Sequence, residues 1–375
     1  MAKRALIVGG AGATGRCLVA GLVERGFELS VLHRGVHEPD HLLPFRHLHA
    51  DPHFAEPVQA VLADENFDVV ILTYGRIEAL APVFAGRCER LIAVGGIPVY
   101  AGFIDPGSVQ PGGMSILARE CGELADPALV QPEQAGRFVR KMLAAEDAVM
   151  REHGRGGYNA SLFRYPRIYG PNSIISQDWS VVRRVMDKRP FLLLPNAGLT
   201  IFTRCASVNA AHCVLLALDH PQAGGQIFNC GDDEQFSLAQ WAEIVIASLG
   251  ASIEIVGLPP RLNRIAAHFA LYGGAMFGHA LIDTAKARDM LGYRDVVRPR
   301  DAIAASARWW LEHGEQLQSS MIARDPFDYA LEDRVHGHLA ALNRKYADIN
   351  PVAGLPAHSY PHPKQPGLSK DHRGR

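Results

Sequence analysis

Glycines stand at positions 9, 12 and 15 of the run Val8-Gly9-Gly10-Ala11-Gly12-Ala13-Thr14-Gly15, directly after the apolar stretch Ala5-Leu6-Ile7-Val8. Leu18, Gly21 and Leu22 follow at helical spacing, so the segment reads as a buried strand, a tight turn and a helix. Such a turn suits the pyrophosphate of a dinucleotide, because backbone N–H groups at a helix start point at the anion and the helix dipole favours its charge. Gly9 permits the turn, Gly12 lets backbone approach phosphate, and Gly15 lets the helix lie close on the strand. Ala13 and Thr14 complete this cradle, and Arg16 on the first helical turn supplies a positive charge.

The next residues with chemical meaning end the second strand. Gly26 stops the first helix, Glu28 to Leu32 forms a strand, and His33-Arg34-Gly35 follows it. An acid at this place holds the ribose hydroxyls of NAD, whereas a cation accommodates the extra phosphate of NADP. His33 takes the acid's place and Arg34 comes next, which points to NADP(H), with NAD(H) as the second choice.

These residues must be positioned by a sheet. Arg46 to Ala50 is a strand candidate ending at Asp51, the helix through Val58, Val61 and Leu62 leads to the strand Asp68 to Leu72, and Arg90 to Val94 is another strand, ending in Gly95-Gly96. Alternating strands and helices build a parallel sheet, whose ligands bind at the carboxyl ends of the strands. Thr73-Tyr74-Gly75 and Gly95-Gly96 should therefore face cofactor and substrate.

With 375 residues and 48% hydrophobic composition the chain can bury a large core. Its 38 basic and 39 acidic side chains leave no global field to recruit nucleic acid. The cysteines at 17, 88, 121, 205, 213 and 230 are scattered and read as buried thiols of a cytoplasmic protein. The 17 histidines show no helical pair beside a carboxylate, so no metal site is expected. Ile265 to Ile282 is the most apolar stretch, but His268, His279 and its glycines argue for core or for a lid over an apolar substrate rather than a membrane span.

In this order the residues resemble the extended short-chain dehydrogenase/reductases, also called the NAD-dependent epimerase/dehydratase family. The resemblance runs over residues 3–315 and rests on Gly9, Gly12 and Gly15, on Asp51, on Val99-Tyr100, on Arg164-Tyr165-Pro166-Arg167-Ile168-Tyr169-Gly170-Pro171, and on Asn229-Cys230-Gly231-Asp232. Asp283 to Lys286, Leu291-Gly292-Tyr293 and Trp309-Trp310 are similar to the family's last helices. It implies an α/β fold: a Rossmann-type doubly wound parallel sheet with a smaller interleaved α/β substrate-binding domain. Residues 1–171 and 205–232 would form the nucleotide-binding part and 172–204 and 233–315 the substrate part. Residues 316–375 would be a partly extended or mobile C-terminal extension. By resemblance, Asp51 meets the adenine ring, and Tyr74 and Tyr165 are further cofactor contacts. Val208 to Leu218 and the strand Gln226 to Asn229 return to the nucleotide part, and Ser237 to Gln240 has the form of a capping box opening the next helix.

The family performs proton chemistry with a Tyr and a Lys four residues later on one helix, and a Ser after the fifth strand. This chain departs from that pattern. On the helix Gly136 to Glu146, a register anchored on Lys141 puts Arg137 at the tyrosine, and one anchored on Glu146 puts Phe138 there and Met142 at the lysine; Gly96 stands for the serine. The Lys141 register keeps a cation for the nicotinamide ribose, with Tyr100, Tyr165, Tyr169 or Tyr74 supplying the missing hydroxyl. The expectation is an NADP(H)-dependent oxidoreductase acting on a small carbonyl, enone or imine. A catalytically silent NADP-binding sensor or scaffold is the alternative, and a sugar-nucleotide epimerase or dehydratase comes third. The apolar face Phe138, Leu143, Ala144 and the resemblance both suggest a homodimer.

Overall fold

A computed structural model describes residues 2–36, 38–173, 177–262, 265, 278–318, 325–347 and 363–370. Residues 1–328 form one compact unit and 329–375 a second.

The first unit is built on a seven-stranded parallel sheet of β1 (Arg4–Val8), β2 (Glu28–His33), β3 (Arg46–His49), β4 (Phe67–Leu72), β5 (Cys88–Gly96), β6 (Asn159–Tyr165) and, later in the chain, Gln226–Asn229. The strand order is β3-β2-β1-β4-β5-β6 followed by Gln226–Asn229, all parallel. Order reverses between β1 and β4, which opens a crevice beyond their carboxyl ends.

Side-chain alternation along the strands separates two cores. Ala5, Ile7, Leu29, Val31, Val69 and Ile71 face helices α1 (Gly15–Glu24) and Ser207–Asp219, where Leu18, Leu22, Ala211 and Val214 meet them. Leu6, Val8, Leu32, Val70 and Leu72 face the other way, onto α2 (Ala55–Leu62), α3 (Ile77–Phe84) and α4 (Glu133–Gly154). Each fully buried Leu, Ile or Val contributes roughly 1.5 to 3 kcal/mol, so an uninterrupted apolar strand such as β1 commits to the sheet centre.

Between β6 and the seventh sheet strand come β7 (Arg167–Tyr169), α5 (Gln177–Met186), β8 (Phe191–Leu194), β9 (Arg204–Ala206) and α6 (Ser207–Asp219). The seventh strand, β10 (Gln226–Asn229), is followed by α7 (Leu238–Ser248), β11 (Glu254–Gly257), α8 (Ala285–Leu291) and α9 (Pro299–Leu317). β7 pairs with β9 and β8 with β11, both in parallel. Ser237 and Gln240 form a reciprocal capping box at the start of α7. Trp179 of α5, Trp241 of α7 and Trp310 of α9 are buried together in a third core.

Of the cysteines, Cys88, Cys205, Cys213 and Cys230 are buried, Cys17 is half-buried and, against expectation, Cys121 is exposed. It lies in the run Arg119-Glu120-Cys121-Gly122-Glu123, none of whose residues is buried. Most of the apolar stretch Ile265 to Ile282 lies outside the described residues. At its end Ala280 and Ile282 are buried and bridge Phe202 and Ala118. The compact unit reaches past residue 316, since α9 continues to Leu317 and Asp325 pairs with Arg184 of α5. The second unit contains α10 (Tyr329–Lys345) and exposed residues 363–370, and the rest of the proline-rich tail lies outside the described residues. Among the described residues no helix is long and apolar enough to cross a membrane.

Candidate functional site

The glycine turn sits at the crevice mouth. Gly9 and Gly10 have φ of 105° and 88°, values that side chains other than hydrogen strongly disfavour. A Cβ on Gly15 would lie 1.7 Å from the Gly10 carbonyl oxygen, so Gly15 brings the start of α1 against the turn itself rather than against the strand. Thr73, expected at this end of the sheet, and His41, which the sequence did not single out, hold the turn in place. Thr73 donates its hydroxyl to the Val8 carbonyl (3.0 Å) and accepts from the Gly10 N–H (3.3 Å), while the His41 Nε2 lies 3.0 Å from the Gly10 oxygen.

A nicotinamide dinucleotide would use this turn, and the turn fits one. An added Cβ on Gly12 meets no protein atom within 4 Å, so the space beyond its backbone is open. Thr14, preceding α1, makes no side-chain cap, which leaves the helix N-terminus to another acceptor. Ala13 is half-buried, Thr14 buried and Arg16 exposed on the first turn.

Several of the expected cofactor residues converge beside this turn. The Arg34 guanidinium lies 6.0 Å from the Tyr74 ring centre, and the His53 ring meets Tyr74 edge-on at 5.1 Å. Asp51 accepts from the His53 backbone N–H (3.0 Å) and faces its Nδ1 (2.8 Å). These His53 bonds, helped by the Arg34 charge, hold the Asp51 carboxyl below its usual range. Arg34, Tyr74, His53 and Asp51 thus line one wall at the ends of β2, β3 and β4.

His33 behaves differently. Its ring is buried, Nδ1 accepts from the Gly35 N–H (3.0 Å), and Nε2 lies 2.6 Å from His47 Nδ1. Both nitrogens are therefore used, one by the loop after β2 and the other by β3. Burial, and then the charges of His47 and His49, push the His33 pKa down.

On the nicotinamide side the geometry decides between the two helix registers. A Cβ on Gly96 would lie 3.2 Å from Met142 Cε, and one on Gly95 would lie 3.6 Å from Glu146 Oε1. Met142 and Glu146 thus face β5, Phe138 follows one turn before on the same side, and Lys141 is exposed. Lys141, expected at the ribose, is exposed, and Met142 rather than Lys141 points at β5 beside Gly96; one turn earlier Phe138 is half-exposed. Glu146 causes this. It takes two bonds from Arg164 on β6, Nε to Oε1 at 2.9 Å and Nη2 to Oε2 at 2.7 Å, which pins the rotation of α4.

The expected proton donors are also reassigned. The buried Tyr100 phenol donates to Asn229 Oδ1 (2.6 Å), with the Arg164 guanidinium 4.8 Å over its ring. The Tyr169 phenol donates to Asp232 Oδ2 (2.8 Å) and its ring packs edge-on against Trp241. Burial raises both pKa values. Tyr165 turns its hydroxyl into the core beside Cys230, makes no hydrogen bond there, and has Thr14 as the polar side chain facing it. Desolvation of all three phenols, and the fixed partners of Tyr100 and Tyr169, suit them to structure rather than to proton transfer at the crevice.

Asn229 and Arg164 explain why their motifs looked characteristic. Asn229 donates to the Ala118 and Asp283 carbonyls (3.0 Å each), and Arg164 donates to the Glu120 carbonyl (3.0 Å), so these residues tie the loop after β5 to β6, β10 and α8.

No family model and no curated protein sequence matches the chain. Solved structures do. dTDP-glucose 4,6-dehydratase from Bacillus anthracis, in complex with NAD, superposes with a TM-score of 0.63 at 13% identity, covering 84% of this chain and 98% of that one. The corresponding enzyme from Streptomyces venezuelae, also with NAD, gives 0.63 at 18% identity, covering 84% of this chain and 99% of that one. UDP-glucose 4-epimerase from Thermotoga maritima, with UDP-glucose, gives 0.63 at 14% identity, covering 82% and 99%. The fold is that of the extended short-chain dehydrogenase/reductases. At such identities the likeness shows this fold alone.

Proposed function

We propose that the chain binds NADP(H) in preference to NAD(H) across the carboxyl ends of β1 and β4, and that it moves hydride to or from an electrophilic carbon of a small carbonyl, enone or imine. Residues 1–171 and 205–232 serve the cofactor and residues 172–204 and 233–315 the substrate. The observation that carries the cofactor reading is the wall of Arg34, Tyr74, His53 and Asp51 beside an open glycine turn, with no acid at the end of β2 to repel a 2′-phosphate. Gly9 to Gly15 and the start of α1 would hold the pyrophosphate, with Arg16 adding charge. A nicotinamide held there would supply or accept the hydride.

The chain's own contribution is placement, which accounts for a large share of the acceleration of hydride transfer. Met142 and Gly96 offer no proton beside the end of β5, so the accompanying proton comes from water or from an acid placed elsewhere. Epimerisation or dehydration of a nucleotide sugar, the chemistry named for the solved relatives, is disfavoured because it requires a base for a substrate hydroxyl. A second reading, a cofactor-binding sensor or scaffold without turnover, draws on the burial and full engagement of Tyr100 and Tyr169. The protein acts as a cytoplasmic homodimer, with the half-exposed Phe138 contributing an apolar surface to the contact.

Fluorescence titration with NADPH and NADH, followed by NADPH oxidation over a panel of ketones, aldehydes, enones and imines, tests both readings. Tight NADPH binding with turnover of some substrate class is the expected result. Binding without turnover across the panel supports the sensor, and failure to bind either dinucleotide refutes both.

A further inference from the structure

His47 and His49 lie two residues apart on β3, so both rings project from the same face of the sheet. His33 at the end of β2 is in register with His49, and Glu38 returns over them from the loop between the two strands. Four ligand-type side chains from 17 residues of chain thus meet at one edge of the sheet. Their nearest atoms, one from each, all lie within 4.8 Å of one another. His33 Nε2 and His47 Nδ1 are 2.6 Å apart and His49 Nε2 is 3.0 Å from Glu38 Oε1. Glu38 Oε1 is 3.7 Å from His47 Nδ1 and 3.8 Å from His33 Nε2.

We propose that Glu38, His47 and His49, with His33 beside them, form a binding site for a divalent transition ion of the zinc class. A tetrahedral zinc ion with bonds near 2.0 to 2.1 Å sets its ligands about 3.4 Å apart, and the distances around Glu38 fall on either side of that value. Imidazole nitrogens with one carboxylate suit zinc, nickel or copper(II) rather than calcium or magnesium, which prefer all-oxygen shells. This revises the expectation of no metal site, which considered only helical spacings.

Second-shell bonds already orient the ligands. His47 Nε2 lies 3.0 Å from the Leu42 carbonyl, so it is the protonated nitrogen and Nδ1 turns its lone pair to the cluster, where it accepts from His33 Nε2–H until an ion displaces that bond. His49 is 56% exposed and free to carry its proton on the other ring nitrogen once Nε2 takes the metal. His33 is the costly member. Its Nδ1 accepts from the Gly35 N–H, so the ring proton stands on Nε2, toward the cluster, and ligation there requires Gly35 to move. The geometry therefore assigns Glu38, His47 and His49 as the primary ligands, with water or a shifted His33 completing the shell.

The test uses the full-length, tag-free protein stripped with EDTA, titrated with ZnCl2 by calorimetry and with CoCl2 by visible absorption. One ion per chain is expected, with ligand-field bands of a low-symmetry four-coordinate cobalt site. Glu38→Gln and His49→Ala should each weaken zinc by more than the about 10- to 100-fold that an outer-shell partner costs. His33→Ala should weaken it less. Circular dichroism confirms folding of these variants, and the half-exposed His49 makes its replacement the mildest. His220→Ala/His313→Ala, outside the cluster, should change nothing. Absence of a stoichiometric zinc site overturns the proposal, as does zinc affinity unchanged in both Glu38→Gln and His49→Ala.

Discussion

Removing Glu146 should destabilise the protein by about 3 to 5 kcal/mol, because it strands a buried guanidinium. Arg164 is 1% exposed and spends two of its donors on Glu146, at 2.9 and 2.7 Å, and a third on the Glu120 carbonyl. In Glu146→Ala two of these donors lose their acceptor and the charge loses its counterion, while water cannot replace either in a site this closed. The penalty belongs to the unpaired arginine rather than to the net worth of the pair. A double variant, Glu146→Leu/Arg164→Met, should therefore recover much of the loss, since replacing both members of a buried pair by apolar groups is often near neutral. Urea unfolding followed by tryptophan fluorescence would read this as a shift of midpoint at constant slope. A Glu146→Ala cost under about 1 kcal/mol would show that Arg164 finds solvent or another partner. A double variant no more stable than Glu146→Ala would refute the stranded-charge argument, and with it the account of what fixes the rotation of α4.

Arg34→Ala should weaken NADPH binding about ten- to a hundredfold while leaving NADH nearly unchanged, the scale of a lost charge-assisted hydrogen bond, and paired fluorescence titrations would check it. Equal losses for the two dinucleotides would detach Arg34 from the 2′-phosphate. Lys141→Ala, on the exposed side of α4, should alter stability by less than about 0.5 kcal/mol and leave NADPH affinity unchanged, as measured by urea unfolding and titration. Burial pushes the Asp178 carboxyl up to about 6, against the opposing Ser306 hydroxyl bond and Arg204 charge. Folding therefore favours its protonated form: the associated stability is present below its unfolded pKa of about 4 and is lost as pH rises through the folded value. Stability measured from pH 4 to pH 8 should fall more steeply in the wild type than in Asp178→Asn, and parallel curves would show that Asp178 does not titrate in this range.

The nucleotide half was largely legible because its signals are local. An apolar strand entering glycines at fixed spacing leaves few alternatives, and the expected strands Glu28 to Leu32, Asp68 to Leu72 and Gln226 to Asn229 fall within a residue of β2, β4 and β10. The capping box at Ser237 is likewise a four-residue signal, read from sequence and present in the structure. Less was legible wherever the signal depends on a partner distant in sequence. β7 and β9 are three residues each and exist through each other, 37 residues apart in register, so neither carries a strand pattern of its own.

Helix register shows the difference most sharply. Lys141 and Met142 are adjacent, yet one residue turns a side chain by about 100°, enough to move it from the sheet to solvent. Helical periodicity alone admitted both registers, since either places some apolar residues inward. The deciding term is Arg164, 18 residues beyond Glu146 and on another element, whose buried charge makes every rotation of α4 but one expensive. The same interaction that stabilises the fold therefore determines what stands beside the end of β5, and what stands there is Met142. A residue-type search for a tyrosine or lysine near the right place finds Lys141 because it ignores this constraint. The histidine cluster was not legible for the complementary reason: His47 and His49 alternate along one strand and His33, read only as a cofactor residue, comes from its neighbour, an arrangement that becomes a cluster only when β2 and β3 pair in the register His33 to His49. In both cases the chemistry at the carboxyl edge of the sheet follows from pairing and charge burial elsewhere, so variants at Glu146 or along the β2–β3 pair should alter the site without touching a residue that contacts ligand.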